Sequence, residues 1–130
     1  MDRVCHFEIP FDDIERTSKF YSEVFGWQVM KAPGEMPYHF AITTEIDETM
    51  MPKEKGGING GFYQRCSEGP SSTTPVLVIQ VDSCEQRMKD VEAAGGAALL
   101  GPHEVSGMGI YAQVKDPEGN IIGLWQPLGG

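Results

Sequence analysis

Runs of two-residue alternation and of helical spacing take turns along this 130-residue chain, and they predict an α+β fold of two paired β-α-β-β-β modules that form a concave mixed sheet cleft. Two further observations support it. A shift of 70 residues superposes Ile9 on Ile79, Asp12 on Asp82, Glu15 on Glu85, Lys19 on Lys89 and Gly26 on Gly96. A shift of 62 superposes Gly57 on Gly119, Gly61 on Gly123, Phe62 on Leu124 and Tyr63 on Trp125. These identities fall at caps, helix ends and mid-strand glycines, where geometry narrows the choice of residue.

The elements follow in order. Val4–Pro10 alternates, with Cys5, Phe7 and Ile9 to one side and His6 and Glu8 to the other, as a half-buried strand does. Asp12 or Asp13 caps a helix over Ile14–Phe25 that Gly26 ends. Trp27–Met30 and Tyr38–Thr44 read as strands, Ile46–Lys55 as a mobile loop, and Gly56–Tyr63 as a glycine-rich strand. Gln64–Pro75 is linker-like, which divides the single domain into module one (1–63), a linker (64–75) and module two (76–127).

The pattern then restarts with a strand at Val76–Val81. Asp82 or Ser83 caps a helix through Ala94 that Gly95-Gly96 closes. Strands at Ala97–Leu100 and Ile110–Lys115 come next. Asp116-Pro117-Glu118-Gly119 is a turn in which Pro117 presets φ and Asp116 bonds the backbone, and it feeds the last strand from Ile121.

Composition excludes several functions. A net charge of −9 lacks the Lys/Arg surplus that nucleic-acid binding needs. No apolar run suits a membrane span, and the first residues do not read as a secretory signal. The cysteines Cys5, Cys66 and Cys84 are odd in number and widely spaced, which predicts free thiols and a cytoplasmic setting.

If each helix covers one face of its sheet, parity assigns Cys5, Phe7, Ile9, Phe62, Leu77, Ile79, Val81, Ile122 and Leu124 to the core. The other face carries His6, Glu8, Asn59, Gly61, Tyr63, Val76, Val78, Gln80, Ile121, Gly123 and Trp125, joined by His39, Ala41, Tyr111 and Gln113. A cleft with aromatic walls and a few polar groups suits a small ligand. His6 is either a general base oriented by Glu8 or a cleft group satisfied by water. His39 and Tyr111 either bind a ligand or face solvent. Tyr63 and Trp125 either stack on a planar ligand or fill core. Met50 and Met51 could form an adaptable lid or simple loop contacts. Gly61 and Gly123 leave the cleft floor empty, and His103, after Gly101-Pro102, has no assigned role.

The opening FEIPFDDIERTSKFYSEVFGW, the helix VDSCEQRMKDVEAAGG and the close DPEGNIIGLWQ resemble the vicinal oxygen chelate superfamily, the group of glyoxalase I, bleomycin- and fosfomycin-resistance proteins and extradiol dioxygenases. The resemblance spans nearly the whole chain and is closest to the glyoxalase-like members. Its metalloenzymes carry ligands on the first, fourth, fifth and eighth strands. Those positions fall here on His6, Gly61 (or Gly60 if the register slips by one), Val76 and Gly123, so one ligand in four survives and no metal or other cofactor is expected. The resemblance implies a homodimer that binds a small organic metabolite or drug in the cleft without a metal. The alternative is a lyase or isomerase of the glyoxalase type acting on a carbonyl compound, with His6 and Glu8 as acid/base pair or residual metal ligands. Neither nucleic acid nor membrane is an expected partner.

Overall fold

The computed structural model describes residues 1–66 and 73–128. It is an α+β fold with, among the described residues, eight strands and two helices: β1 (Arg3–Phe11), α1 (Ile14–Phe25), β2 (Gln28–Lys31), β3 (Tyr38–Ile42), β4 (Gly60–Gln64), β5 (Val76–Gln80), α2 (Cys84–Ala93), β6 (Ala97–Val105), β7 (Gly109–Lys115) and β8 (Ile121–Pro127). Two compact units emerge. One holds His6–Pro75, and the other holds Met1–Cys5 together with the residues from Val76 onward. The linker expected over 64–75 falls in part on residues 67–72, outside the described residues.

In the first unit the strand order is β2-β3-β4-β1, with β4 and β1 parallel and the other pairs antiparallel. The second unit repeats it as β6-β7-β8-β5, with β8 and β5 parallel. Both expected shifts are visible in the register, since Glu8 lies opposite Gly61 and Val78 opposite Gly123.

The helices start and stop for local reasons. Asp13 is the N-cap of α1 and accepts from the Arg16 N–H, while Gly26 closes it in the left-handed conformation at φ 73°. Asp12, the other candidate cap, instead receives the Arg65 Nε–H at 3.2 Å. Ser83 caps α2 through the Gln86 N–H, and Gln126 of β8 accepts from the Cys84 N–H at 2.9 Å, satisfying a second donor of that first turn.

Each unit has its own core. Phe11, Ala41 and Phe62 are buried in the first, with Phe7, Ile9, Ile14, Tyr21, Trp27 and Val29 packed against them. Tyr21 stacks on Trp27 with ring centroids 4.8 Å apart, and Phe62 lies 5.2 Å from Tyr21. In the second unit Val81, Cys84, Met88, Ala112, Val114 and Leu124 form the core. Leu77, expected inside, is 52 % exposed.

Two expectations are corrected, and one segment gains detail. Gly56–Asn59 precede the glycine-rich strand, which begins at Gly60. The segment Ile46–Lys55 carries a built turn: Asp47 accepts from the Thr49 and Met51 N–H groups, and Ile46 bridges Pro52. Strand β6, expected to end at Leu100, runs on through Gly101-Pro102 to Val105. It ends its unit's strand order, where a proline without a ladder donor is tolerated, and its register shifts between Ala98 and Leu100 and again before His103.

Candidate functional site

Strand β1 places His6 and Glu8 on the face of the first unit that looks away from the apolar core, because Phe7, Ile9 and Phe11 take the other parity. Gly61 lies directly across from Glu8, and Tyr63, two residues along β4, shares the face. The third strand is set one residue differently from expectation. Its pairs are Tyr38 with Tyr63, His39 with Phe62, Phe40 with Gly61 and Ala41 with Gly60. Tyr38 and Phe40 therefore join Gly61, while His39 and Ala41 turn to the core face of Phe62. His39 meets Phe11 edge-on at 5.8 Å and adjoins a groove along Glu15, Ser18, Lys19 and Ser22 of α1. The placement of His39 with the glycine face is thus corrected. The reason is that β3 carries one polar aromatic side chain on each parity, Tyr38 and His39, so its orientation is decided by pairing with β4 and not by alternation.

The residue that parity missed is central to the face. The Tyr38 hydroxyl lies 2.8 Å from His6 Nε2. Its phenol occupies the space that a Cβ on Gly61 would need. Gly60, on the opposite parity, is filled from the core side by the Phe7 ring, 2.5 Å from a Cβ placed there. The floor expected to be empty at Gly61 is thus covered by a phenol. Gly61→Ala is expected to push the Tyr38 hydroxyl off His6 and to lower stability by about 1 kcal/mol, the worth of one partly buried hydrogen bond. Denaturant titration beside Tyr38→Phe checks it: the two losses should not add, because both remove the same bond.

A second neighbour acts on His6. Burial pulls its pKa from the ordinary 6.5 down to about 4, opposed by a hydrogen bond to the Asn59 backbone. Asn59 is itself pinned, since its Oδ1 accepts from the Thr43 and Thr44 N–H groups at 2.7 and 2.9 Å. The imidazole is therefore neutral near pH 7 and rigidly placed.

The second unit repeats the device. Tyr111 lies opposite Trp125, and Gln113 opposite Gly123. The Tyr111 hydroxyl stands 3.1 Å from where a Gly123 Cβ would lie and accepts from Gln113 Nε2 at 2.9 Å. His103 of β6, given no role from sequence, pairs with Tyr111 of β7 and meets its ring edge-on at 6.0 Å. Matching Tyr38 to Tyr111 through the repeat was the signal that could have found Tyr38.

Taken unit by unit, the positions at which the superfamily's metalloenzymes carry ligands do not fit a divalent metal ion. His6 Nε2 is engaged by a phenol, Val76 is an apolar residue 1 % exposed, and the two remaining positions are glycines beneath tyrosines. Among the described residues no three His, Cys, Asp or Glu side chains converge as ligands. Met50 and Met51 are 49 % and 57 % exposed at the tip of the Asp47 turn, with Met50 at φ 68°. No helix among the described residues is long and apolar enough to cross a membrane.

Comparison with known proteins settles the family. A glyoxylase-like domain-containing protein of Didymella fabae is 32% identical over 107 residues, 78% of each chain. The chain belongs to the glyoxalase-like family of the vicinal oxygen chelate superfamily. The family model described as bleomycin resistance protein-like N-terminal matches residues 3–41, which span β1, α1, β2 and most of β3. Anthracycline biosynthesis protein DnrV of Streptomyces peucetius is 26% identical over 92% of this chain, which spans 45% of that longer protein. A crystal structure of a glyoxalase/bleomycin resistance protein/dioxygenase superfamily member from Vibrio splendidus 12B01 superposes with a TM-score of 0.61 at 18% identity, over 97% of this chain and 99% of the other, a likeness of fold.

Proposed function

We propose that this glyoxalase-like protein binds a small organic molecule without a metal ion, on the face that carries His6, Tyr38, Phe40, Gly61 and Tyr63. The observation that carries the proposal is the His6–Tyr38 hydrogen bond laid over Gly61, a fixed polar pair among aromatic rings. Aromatic surface supplies affinity and a few placed polar groups supply orientation, as in small-ligand sites generally. The Streptomyces relatives are named for the biosynthesis of anthracyclines, which are fused planar aromatics, and this likeness supports a planar aromatic ligand. A net charge of −9 favours a ligand with positive charge.

Binding is favoured over catalysis by the state of His6. A general base works best with a pKa near the operating pH. An imidazole held at about 4 is a weak base at pH 7, which counts against His6 as the proton acceptor of a lyase or isomerase.

The test is thermal unfolding with 9-aminoacridine, a planar aromatic cation. Ligand at a hundred times Kd is expected to stabilise the fold by about 2.7 kcal/mol, raising Tm by several degrees, with the shift shrinking as salt rises. An unchanged Tm across planar aromatic cations and neutral analogues sinks the proposal.

A further inference from the structure

The outer side of α1 is apolar where the fold does not require it to be. Arg16, Phe20 and Val24 follow one another at four-residue spacing and so line up along one side of the helix, with Glu23 beside them. Phe20 is 52 % exposed and Val24 is 57 % exposed. The core of this unit is met instead by Ile14 and Tyr21, which lie round the helix from that row. Tyr21, packed on Trp27 and Phe62, meets the Phe20 ring edge-on at 5.1 Å. That contact limits the freedom Phe20 must give up on docking.

The internal repeat provides a control. A shift of 70 residues carries Phe20 onto Asp90 and Val24 onto Ala94, at the same places of α2. Asp90 is engaged within its own helix, by Gln86 Nε2 at 3.0 Å and Arg87 Nη1 at 2.9 Å. Among the described residues Arg16 and Glu23 of α1 take part in no ion pair. One copy of the element is thus polar outside with its charges satisfied. The other presents two apolar side chains between an unpaired cation and an unpaired anion.

The order of these groups is self-complementary. In two antiparallel helices related by a twofold axis beside Phe20, a residue some places before position 20 meets the residue as many places after it. Phe20 then meets Phe20, and Arg16 of each protomer meets Val24 of the other with Glu23 one residue away, an axial offset of about 1.5 Å. The last turn of α1 holds no basic residue, and this arrangement brings an arginine to the negative end of its dipole. A parallel arrangement would set Arg16 on Arg16 and Glu23 on Glu23, which is repulsive.

We infer that the outer row of α1 is a docking surface for a second copy of this chain, joined antiparallel with Phe20 on Phe20 and two Arg16–Glu23 ion pairs across the axis. It lies on the helix side of its sheet, opposite the face of His6 and Tyr38, and is independent of the binding function proposed above. With two apolar side chains from each protomer the contact is small, so the dimer is weak and reversible.

Sedimentation equilibrium of the full chain, from low micromolar to near-millimolar concentration, tests it. The mass should climb from 14.3 kDa toward twice that value. Phe20→Asp should stay at the mass of one chain throughout, with its far-ultraviolet circular dichroism unchanged. Arg16→Glu and Glu23→Arg should each raise the dimer Kd about tenfold, and the two together should return it close to the wild-type value, because every reversed charge again meets its opposite. The charge variants decide the matter by themselves if Phe20→Asp fails to fold. A wild type that is monomeric at every concentration overturns the inference and leaves this face to a different partner. A dimer that survives in Phe20→Asp overturns it too, because the contact then lies elsewhere. Single reversals without effect, or a double reversal that does not restore association, overturn the antiparallel pairing and the inference with it.

Discussion

Phe62→Ala is expected to remove about 3–5 kcal/mol of stability, the cost of truncating a buried phenylalanine whose surroundings relax only in part. Phe62 is 0 % exposed, sits in one cluster with Phe11 and Ala41, and contacts the Tyr21 and Trp27 rings. A loss of that size is a large share of the stability of a domain this long. It should appear in equilibrium denaturation as a lower midpoint with an unchanged slope. Phe25→Ala supplies the contrast: this side chain is 59 % exposed at the end of α1, so its removal should cost well under 1 kcal/mol. Equal losses in the two variants would refute the core assignment. The consequence reaches the candidate site, because Phe62 and Gly61 are consecutive on β4 and point to opposite faces. Anchoring Phe62 in the core presents Gly61 to Tyr38.

The second large effect is a dependence of stability on pH that belongs to His6. Its folded pKa of about 4 lies below the ordinary 6.5, with burial as the main cause. Between those values the unfolded chain binds the proton and the folded chain does not, so stability rises with pH across this window. The contribution is fully present above about pH 6.5 and is lost as the pH falls toward 4, for a total of about 3 kcal/mol. His39, also lowered by burial and then by the charge of Lys31, acts in the same direction. The carboxyls of Asp2, Asp47, Asp90 and Asp116 are held below 3.8 chiefly by the side chains of Arg87, Thr49, Gln86 and Asn120 respectively. Their stabilisation is present above that value and disappears only at more acid pH, so it does not overlap the His6 window. Urea titrations at pH 7, 5.5 and 4.5 should therefore show a decline in the wild type that is much reduced in His6→Gln. A parallel decline in both proteins would show that His6 is not the group responsible.

Much of the fold was legible from short-range chemistry. The α1 boundaries, the caps narrowed to Asp12 or Asp13 and to Asp82 or Ser83, the Gly26 terminus and the repeat of β-α-β-β-β depend on residues within a turn or two of each other. Glycines at 61 and 123 were recognisable as points of close approach, and both face a tyrosine. The faces of β7 and β8 could also be read, because Ala112 and Val114 alternate with Tyr111 and Gln113 in size and polarity.

What approached the glycines was not legible. Strand β3, YHFAI, has one polar aromatic residue on each parity and so no distinctive polar side, and only its pairing with β4 turns His39 inward and Tyr38 outward. His103 was passed over because a Gly-Pro pair normally interrupts a strand, whereas β6 ends its unit's strand order and tolerates it. By itself the sequence determined the elements, their repeat and the two glycine positions, since each is set by local backbone preference. The tertiary structure alone decided that the Tyr38 phenol fills the space over Gly61 and bonds His6, because that arrangement depends on a long side chain reaching across strands whose register is fixed by distant pairing.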